Sequence, residues 1–452
     1  MKKNKKEIGY PKTKSKQFIE RLNRCVIVGP YPFVIDLANS QGMYLATVDG
    51  DRIFDWAGLY GSKLLGYNHP RLYEKDYLTH LQVAANNKLA NPDFLTPECL
   101  AYYELIYSLA PKCMRNKKLE VYTVNSGAEA VENMMKYFIN LHRHKIKKQK
   151  LAAKANRFIY FDGAFHGRTV FALNVTNVEN DPMITKDFKG IIPGNIRVPF
   201  PAFDNSKSKS VNLKNMQQSL SVIDTMMDLH KDEIVGVILE PIQGAGGHRL
   251  ALPDFYRELS ILCHRHKILW GVDEVQTAGG QTGEIFCIDH YDLPHPPDAV
   301  ATAKKFGNGV IYMRRSMDDL GVLDSTWGGT LSDMVRFCQE WKIVTEEGLL
   351  TAVDFKSNHL INGLKKLQDK FPSQITNVRG LGLYLGFSFK NGKAKGPFIE
   401  RALQEENLLL LGAGSDSIRL RPVLDVTVSD IDRLLALLDK LLSGQKKFKL
   451  TS

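Results

Sequence analysis

From about Val121 to Met313 the chain alternates short apolar, β-branched runs with stretches of helical periodicity. Two of the runs, Ile234-Val235-Gly236-Val237-Ile238-Leu239 and Ile268-Leu269-Trp270-Gly271-Val272, are apolar at every position. Such a run has no face to offer to water, so it belongs to a strand covered on both sides. Strands of this kind separated by helices predict an α/β domain, a large and mainly parallel sheet with helices on both faces. Between the two runs, Asp254 opens a helical pattern with Phe255, Leu259 and Leu262 on one face. Each run is followed by an acid, Glu240 or Asp273. Ligands of open α/β sheets collect at the carboxyl ends of the strands, which puts both acids where a site is expected.

Asn125-Ser126-Gly127-Ala128 precedes Val131, Met134, Met135 and Phe138, which repeat at helical spacing. A small-residue turn entering a helix presents free N–H groups and the positive end of the helix dipole to an anion. The Met and Phe stripe itself reads as core packing. After about residue 335 the pattern becomes helix, strands and helix. It encloses Gly380-Leu381-Gly382-Leu383 and Ile418-Arg419-Leu420-Arg421-Pro422 and closes on an amphipathic helix around Ile431 to Leu442. The 452 residues thus divide into a basic tail (1–29), a segment joining the small domain (30–95), a large domain (96–334) and a smaller α+β domain (335–452).

The formal charge of +11 invites a nucleic-acid partner. Lys2, Lys3, Lys5, Lys6, Lys12, Lys14 and Lys16, offset by Glu7, supply six of these charges in a tail expected to be disordered. Lys145, Lys147, Lys148 and Lys150 read as a second basic cluster in a polar loop. Charge without recognition geometry is solvated surface, so no nucleic-acid partner is expected. No run reaches the roughly 20 apolar residues that span a bilayer, and the N-terminus has no signal-peptide core, which predicts a cytoplasmic protein without a membrane partner. The six scattered cysteines form no C-x-x-C pair and read as reduced thiols, with neither a disulfide framework nor a metal site.

Chemistry enters with Asp273-Glu274-Val275-Gln276 and Ala301-Thr302-Ala303-Lys304, which bring an acid and a lysine to one sheet edge. Each alone has a bland reading: the acid as a cap or loop anchor, and Lys304 beside Lys305 as two solvated lysines. The order of motifs decides between them. Asn125-Ser126-Gly127-Ala128-Glu129-Ala130, Phe165-His166-Gly167-Arg168, Glu240-Pro241-Ile242-Gln243-Gly244, Asp273-Glu274-Val275-Gln276-Thr277, Lys304 and Thr326-Trp327-Gly328-Gly329 occur in a sequence that resembles the class III, fold type I aminotransferases dependent on pyridoxal 5'-phosphate (PLP). The resemblance runs from about residue 30 to the C-terminus. Ser325 to Gly329, Leu331-Ser332-Asp333-Met334 and Ala164 to Arg168 are similar to the lysine 6-aminotransferase branch in particular.

The resemblance implies roles residue by residue. Lys304 is the lysine bonded to PLP and then the general base and acid, and Asp273 pairs with the pyridine nitrogen so that the ring accepts electrons. Gln276 meets the phenolic oxygen, Phe165 stacks on one ring face and Val275 packs the other. His166 and Glu240 belong to the same cofactor-binding set. Ser126, Gly127 and Ala128 hold the phosphate, and Thr326 reaches it from a neighbouring subunit, which implies a homodimer with interfacial sites. Arg168 and Arg419 are the carboxylate candidates, since a guanidinium offers paired donors; Arg421 is an alternative partner or a surface charge.

The reaction implied is transfer of the ε-amino group of L-lysine to 2-oxoglutarate, giving L-glutamate and 2-aminoadipate 6-semialdehyde. Ornithine, acetylornithine or 4-aminobutyrate donors share the same apparatus, and a silent relative acting as a binding protein would have no reason to keep Lys304, Asp273 and Gln276 together. One position departs from the pattern. Relatives that alternate an ω-amine with 2-oxoglutarate carry a glutamate where Gln243-Gly244-Ala245-Gly246-Gly247 has Ala245, and that glutamate pairs with the arginine matching Arg419.

Overall fold

The computed structural model describes residues 9–150, 156–178, 187–188, 190–317, 319 and 321–444. An antiparallel ribbon comes first: β1 (Ile35–Gln41), β2 (Tyr44–Thr47) and β3 (Arg52–Asp55). The central sheet follows, with β4 (Glu120–Val124), β5 (Arg157–Phe161), β6 (Ile196–Val198), β7 (Ile234–Leu239), β8 (Leu269–Asp273), β9 (Ala299–Thr302) and β10 (Gly309–Met313) in the order β4-β10-β9-β8-β7-β5-β6. From β9 to β6 every pairing is parallel, and β10 alone runs against both of its neighbours. The expected α/β fold, a mainly parallel sheet with helices, is the one observed.

The C-terminal part contributes β11 (Ile375–Leu381), β12 (Tyr384–Phe389), β13 (Leu408–Leu409), β14 (Leu411–Ala413) and β15 (Ser417–Arg419). Four of them form an antiparallel sheet, β11-β12-β15-β14, while β13 crosses to pair parallel with β3. Helices 353–370 and 428–444 pack together, the first of them also against β11. The β3–β13 pairing ties the N-terminal ribbon to the C-terminal region.

All six residues of β7 are buried, as a strand without a polar face requires. Alternate residues of β10 feed opposite cores: Val310 and Tyr312 on one side, Ile311 and Met313 on the other. The second of these cores holds Val131, Met134, Met135 and Phe138 of helix 127–148, which confirms the stripe as packing. Gly236 and Gly271 make room for that helix. A Cβ on Gly271 would stand 2.4 Å from Met134 Sδ and 2.9 Å from Phe138 Cζ, and one on Gly236 2.5 Å from Phe138 Cδ2.

Two expectations are corrected. Lys145, Lys147 and Lys148 do not lie in a loop: they form the last turn of helix 127–148, where cations suit the negative end of the dipole. The tail is ordered from residue 13, because helix Thr13–Leu22 is anchored by Asp49, whose carboxylate accepts the Lys14 and Ser15 backbone N–H groups at 2.8 and 3.0 Å, while Lys12 pairs with Asp51. Lys2, Lys3, Lys5 and Lys6 lie outside the described residues. Among the described residues no helix is long and apolar enough to cross a membrane.

Because Gly271 sets how closely helix 127–148 lies on the sheet, Gly271→Val should lower unfolding stability by about 1–3 kcal/mol, read as a lower midpoint in urea. An unchanged midpoint would show that Met134 and Phe138 yield without loss.

Candidate active site

The carboxyl ends of β7 and β8 and the entrance of helix 127–148 meet at a cavity of about 400 Å³. Ser126 caps that helix, its hydroxyl accepting the Glu129 N–H at 3.2 Å, while the Glu129 carboxylate returns to the Asn125 N–H at 2.6 Å. Gly127 is obligatory here: an added Cβ would lie 2.7 Å from Val275. Ser126, Gly127 and Ala128 line the cavity at the helix N-terminus, the geometry of an anion seat.

Asp273 ends β8 at the cavity's far side and is 5% exposed. One carboxylate oxygen accepts the Val275 N–H at 2.9 Å, and the other lies 2.7 Å from His166 Nδ1. Burial works against a charge on His166, but the hydrogen bond and negative charge of Asp273 outweigh it and raise the imidazole's pKa. That hydrogen bond fixes the direction in which Asp273 presents its remaining lone pairs. Glu240 follows β7, and its oxygens accept the Phe165 and Gly244 N–H groups at 2.9 and 3.1 Å. Burial, reinforced by Asp273 and opposed by His166, raises it to about 7. Its two backbone bonds hold the Phe165 turn and the Gly244 turn on either side of the cavity.

Lys304 and Lys305 behave as opposites. Lys304 lines the cavity, sits in the left-handed region at φ 52°, and donates from Nζ to the Tyr60 carbonyl at 3.1 Å. Burial, and then the positive charges of Arg419 and Arg421, lower its amine to about 7 against the pull of Asp273 and Glu240. A non-glycine residue held in that backbone region is a mark of a functional position when its surroundings over-determine it. Lys305 points away, is 2% exposed, and donates to the Gln276 carbonyl at 2.6 Å. Tyr384 shares its hydroxyl proton between the Gln276 carbonyl at 2.9 Å and Oε1 at 3.1 Å, which leaves the Gln276 side-chain NH₂ as a donor at the cavity wall.

Phe165, His166, Val275 and Gln276 all line the cavity. Arg419 ends β15 beside it: Gly244 separates the two so closely that a Cβ there would lie 3.2 Å from Arg419 Nη1 and 2.2 Å from Gln276 Oε1. Arg419 is 7% exposed, yet its Nε and Nη1 have no hydrogen-bond partner among the described residues. Arg421 is no surface charge. It is 2% exposed, stacks 3.5 Å over the Tyr384 ring and holds His248 Nδ1 at 3.0 Å. Arg168 is exposed and outside the lining, although its neighbour Gly167 is part of it. Thr326 is exposed on the loop before helix 331–346.

The Tyr60 carbonyl, Tyr384 and Asn308 belong to this constellation without having been singled out in the sequence. Tyr60 lies in the turn Gly58-Leu59-Tyr60-Gly61, in which Leu59 and Tyr60 both take positive φ, a turn held by Asp55 accepting the Ala57 and Gly58 N–H groups at 2.9 Å. The doubled glycine was the available signal.

The pattern of the aminotransferase class-III family matches residues 27–442. The chain belongs to the class III aminotransferases. An L-lysine-epsilon aminotransferase of Mycobacterium tuberculosis is 30% identical over 92% of this chain and 93% of its own length; one of Amycolatopsis lactamdurans is 29% identical with the same shares. Rat mitochondrial 4-aminobutyrate aminotransferase is 28% identical over 92% of this chain and 86% of its own. The solved lysine aminotransferase of M. tuberculosis superposes with a TM-score of 0.89 at 28% identity, covering 95% of this chain and 99% of that one. The chain is thus an aminotransferase of a PLP-dependent family, similar to lysine ε-aminotransferases.

A lysine amine lowered to about 7 is charged below that pH and a free nucleophile above it. In the cofactor-free enzyme, acetylation of Lys304 should reach half its limiting rate near pH 7, whereas a free lysine peptide climbs toward the ordinary lysine value of about 10.4. Parallel profiles for the two, followed by mass spectrometry of the peptides, would contradict the desolvated environment of Lys304.

Proposed function

We propose that this aminotransferase moves the ε-amino group of L-lysine to 2-oxoglutarate, giving L-glutamate and 2-aminoadipate 6-semialdehyde. The observation that carries the reading is the placing of an amine lowered to about 7 at one end of the cavity and an unpaired buried guanidinium, Arg419, beside it. A dicarboxylic acceptor satisfies that guanidinium through one carboxylate. Kinship with the lysine ε-aminotransferases supports the donor.

The lining suits PLP: it offers a helix N-terminus for a phosphate, an acid for a ring nitrogen and an amine within the same cavity. Bound there, PLP would supply the carbonyl that takes the donor's amine and the ring that accepts electrons when a C–H bond breaks. Ser126 Oγ with the Gly127 and Ala128 N–H groups would hold the phosphate, and Asp273, steadied by His166, would hold the proton on the ring nitrogen. Gln276 would donate to the phenolic oxygen, with Phe165 and Val275 enclosing the two ring faces. Lys304 would hold the cofactor and move the proton at the reacting carbon. Glu240 positions the Phe165 turn. Arg168, exposed beside Gly167 and outside the lining, would take the α-carboxylate of lysine and direct the distal amine inward.

The same reading makes the enzyme a homodimer in which Thr326 reaches the partner's phosphate site. Its support is the apolar surface near that loop, where Trp327, Phe94 and Leu95 are 40%, 69% and 60% exposed and the Asn91 N–H donates to the Trp327 carbonyl. We place the domain division at 1–29, 30–95, 96–334 and 335–452, the second segment joining the last through the β3–β13 pairing. Six free cysteines suit a reducing, cytoplasmic setting.

After loading with PLP and reduction by borohydride, peptide mapping should find the label on Lys304; a label on Lys305 would refute the assignment. A panel of lysine, ornithine, acetylornithine and 4-aminobutyrate with 2-oxoglutarate should show lysine converted fastest and its ε-amine lost. Exclusive formation of the α-keto acid would overturn the regiochemistry, and faster turnover of 4-aminobutyrate would move the enzyme to the other group of relatives. Ala245 lines the cavity next to unpaired Arg419, so Ala245→Glu should mask the guanidinium and raise the rate ratio of lysine ε-amine to glutamate α-amine in single turnovers by about tenfold. An unchanged ratio would mean that Arg419 is masked already.

A further inference from the structure

At the opposite end of the central sheet lies a second, larger cavity of about 1380 Å³. Its floor is apolar, with Val235, Ile268 and Trp270 at the amino ends of β7 and β8. Its walls are cationic. Lys145, Lys147 and Lys148 come from the last turn of helix 127–148, Lys267 from the turn after helix 253–266, and Arg314 with Arg315 from the segment after β10. The helix dipole accounts for cations at the helix end, but not for two arginines that follow a strand and face them across the same concavity.

Counter-charges are scarce. Asp298 is the one acid lining this cavity among the described residues, and its carboxylate accepts the Trp270 N–H at 3.1 Å. Asp319 lies near Lys147, but its carboxylate oxygen serves Asn140 and His144 at 2.6 and 2.8 Å. Asp232 is the other acid near Lys145. Lys145, Lys267 and Arg315 instead act on one another as like charges, and burial followed by these neighbours lowers the Lys145 pKa. His142, 9% exposed, lines the same cavity; its Nε2 is buried, and burial followed by the charge of Lys145 lowers its pKa against a hydrogen bond to the Asp232 backbone. It supplies no counter-charge to the ring of cations.

We infer that this groove is a binding site for a compact, multiply charged phosphate-type anion, separate from the transamination cavity. The cations close around one concavity from three chain segments rather than running along a surface, which favours a small polyanion over a nucleic-acid strand. Phosphoryl oxygens would pair with Lys147, Lys148 and Arg314 on the walls.

The test is calorimetric titration of the full-length enzyme with sodium tripolyphosphate at low salt. Two triple variants carry the same net charge, each falling from +11 to +5: Lys147→Glu/Lys148→Glu/Arg314→Glu in the groove, and Lys209→Glu/Lys214→Glu/Lys365→Glu on exposed surface elsewhere. Saturable binding of one tripolyphosphate per chain is expected, weakened at least about tenfold in the groove variant and less than about twofold in the control, with equal melting temperatures confirming that both fold. Equal losses in the two triple variants would show that binding follows net charge and would overturn the site. Displacement of tripolyphosphate by a short single-stranded oligonucleotide at a lower phosphate concentration would overturn the small-anion assignment.

Discussion

A guanidinium keeps its proton at any physiological pH, so Arg419, buried at the end of β15, holds a fixed positive charge against the cavity wall. Two of its nitrogens, Nε and Nη1, find no partner among the described residues, and a buried donor left unmade is destabilising by roughly 1–3 kcal/mol. Much of the site is arranged around that charge. Arg421, two residues on, lies on the Tyr384 ring face and against His248, whose pKa burial and the surrounding arginines push far down. Lys304 responds to both arginines by giving up its own charge more easily, which is what a nucleophilic amine requires. On the proposed function, positive potential that would be a defect in a core would select substrates carrying a carboxylate.

The acids show the complementary solution. Asp273 is held by His166 and a backbone N–H, and Glu240 by two backbone N–H groups in surroundings whose burial raises it to about 7. Neither is free to move: each is joined to the turn it organises. The strained backbone lies on the opposite wall, with Lys304, Leu59 and Tyr60 all at positive φ. Gly58 is pressed so tightly on Arg421 that a Cβ would stand 2.1 Å from its carbonyl oxygen. The strain in the 58–61 turn is thus held by β15's extension and by Asp55, and it delivers the Tyr60 carbonyl to Lys304.

What the sequence discloses follows from the range of the interactions involved. Apolar runs and the Ser126 turn are local patterns, so the parallel core, the helix entrance, and Asp273 and Lys304 at the sheet edge were legible from the chain. The reversal of β10 was not, because strand direction depends on pairing with β4, about 190 residues earlier, and not on composition. Lys145 to Lys148 were misread because a charged stretch looks like a loop unless the apolar stripe is followed to Ile146, which is buried. Helix 13–22 escaped because its anchor, Asp49, lies more than 30 residues away. Tyr60, Tyr384 and the unpaired state of Arg419 are products of three-dimensional packing between the N-terminal turn and the C-terminal sheet, and no spacing rule contains them.

Helix 127–148 connects the two charged regions of the large sheet. Its 22 residues span about 33 Å, with Ser126 and Gly127 lining the reaction cavity at one end and Lys145 to Lys148 lining the basic groove at the other. The helix is clamped between these ends by Phe138 and Met134 against Gly236 and Gly271. Both ends follow the same electrostatic rule: the positive N-terminus meets an anion seat, and the negative C-terminus gathers cations. A rigid helix with little slack against the sheet cannot shift at one end without displacing the other, because close-packed interiors transmit strain rather than absorb it. The same glycine-mediated packing that positions the helix entrance at the first cavity therefore also fixes where the basic groove stands.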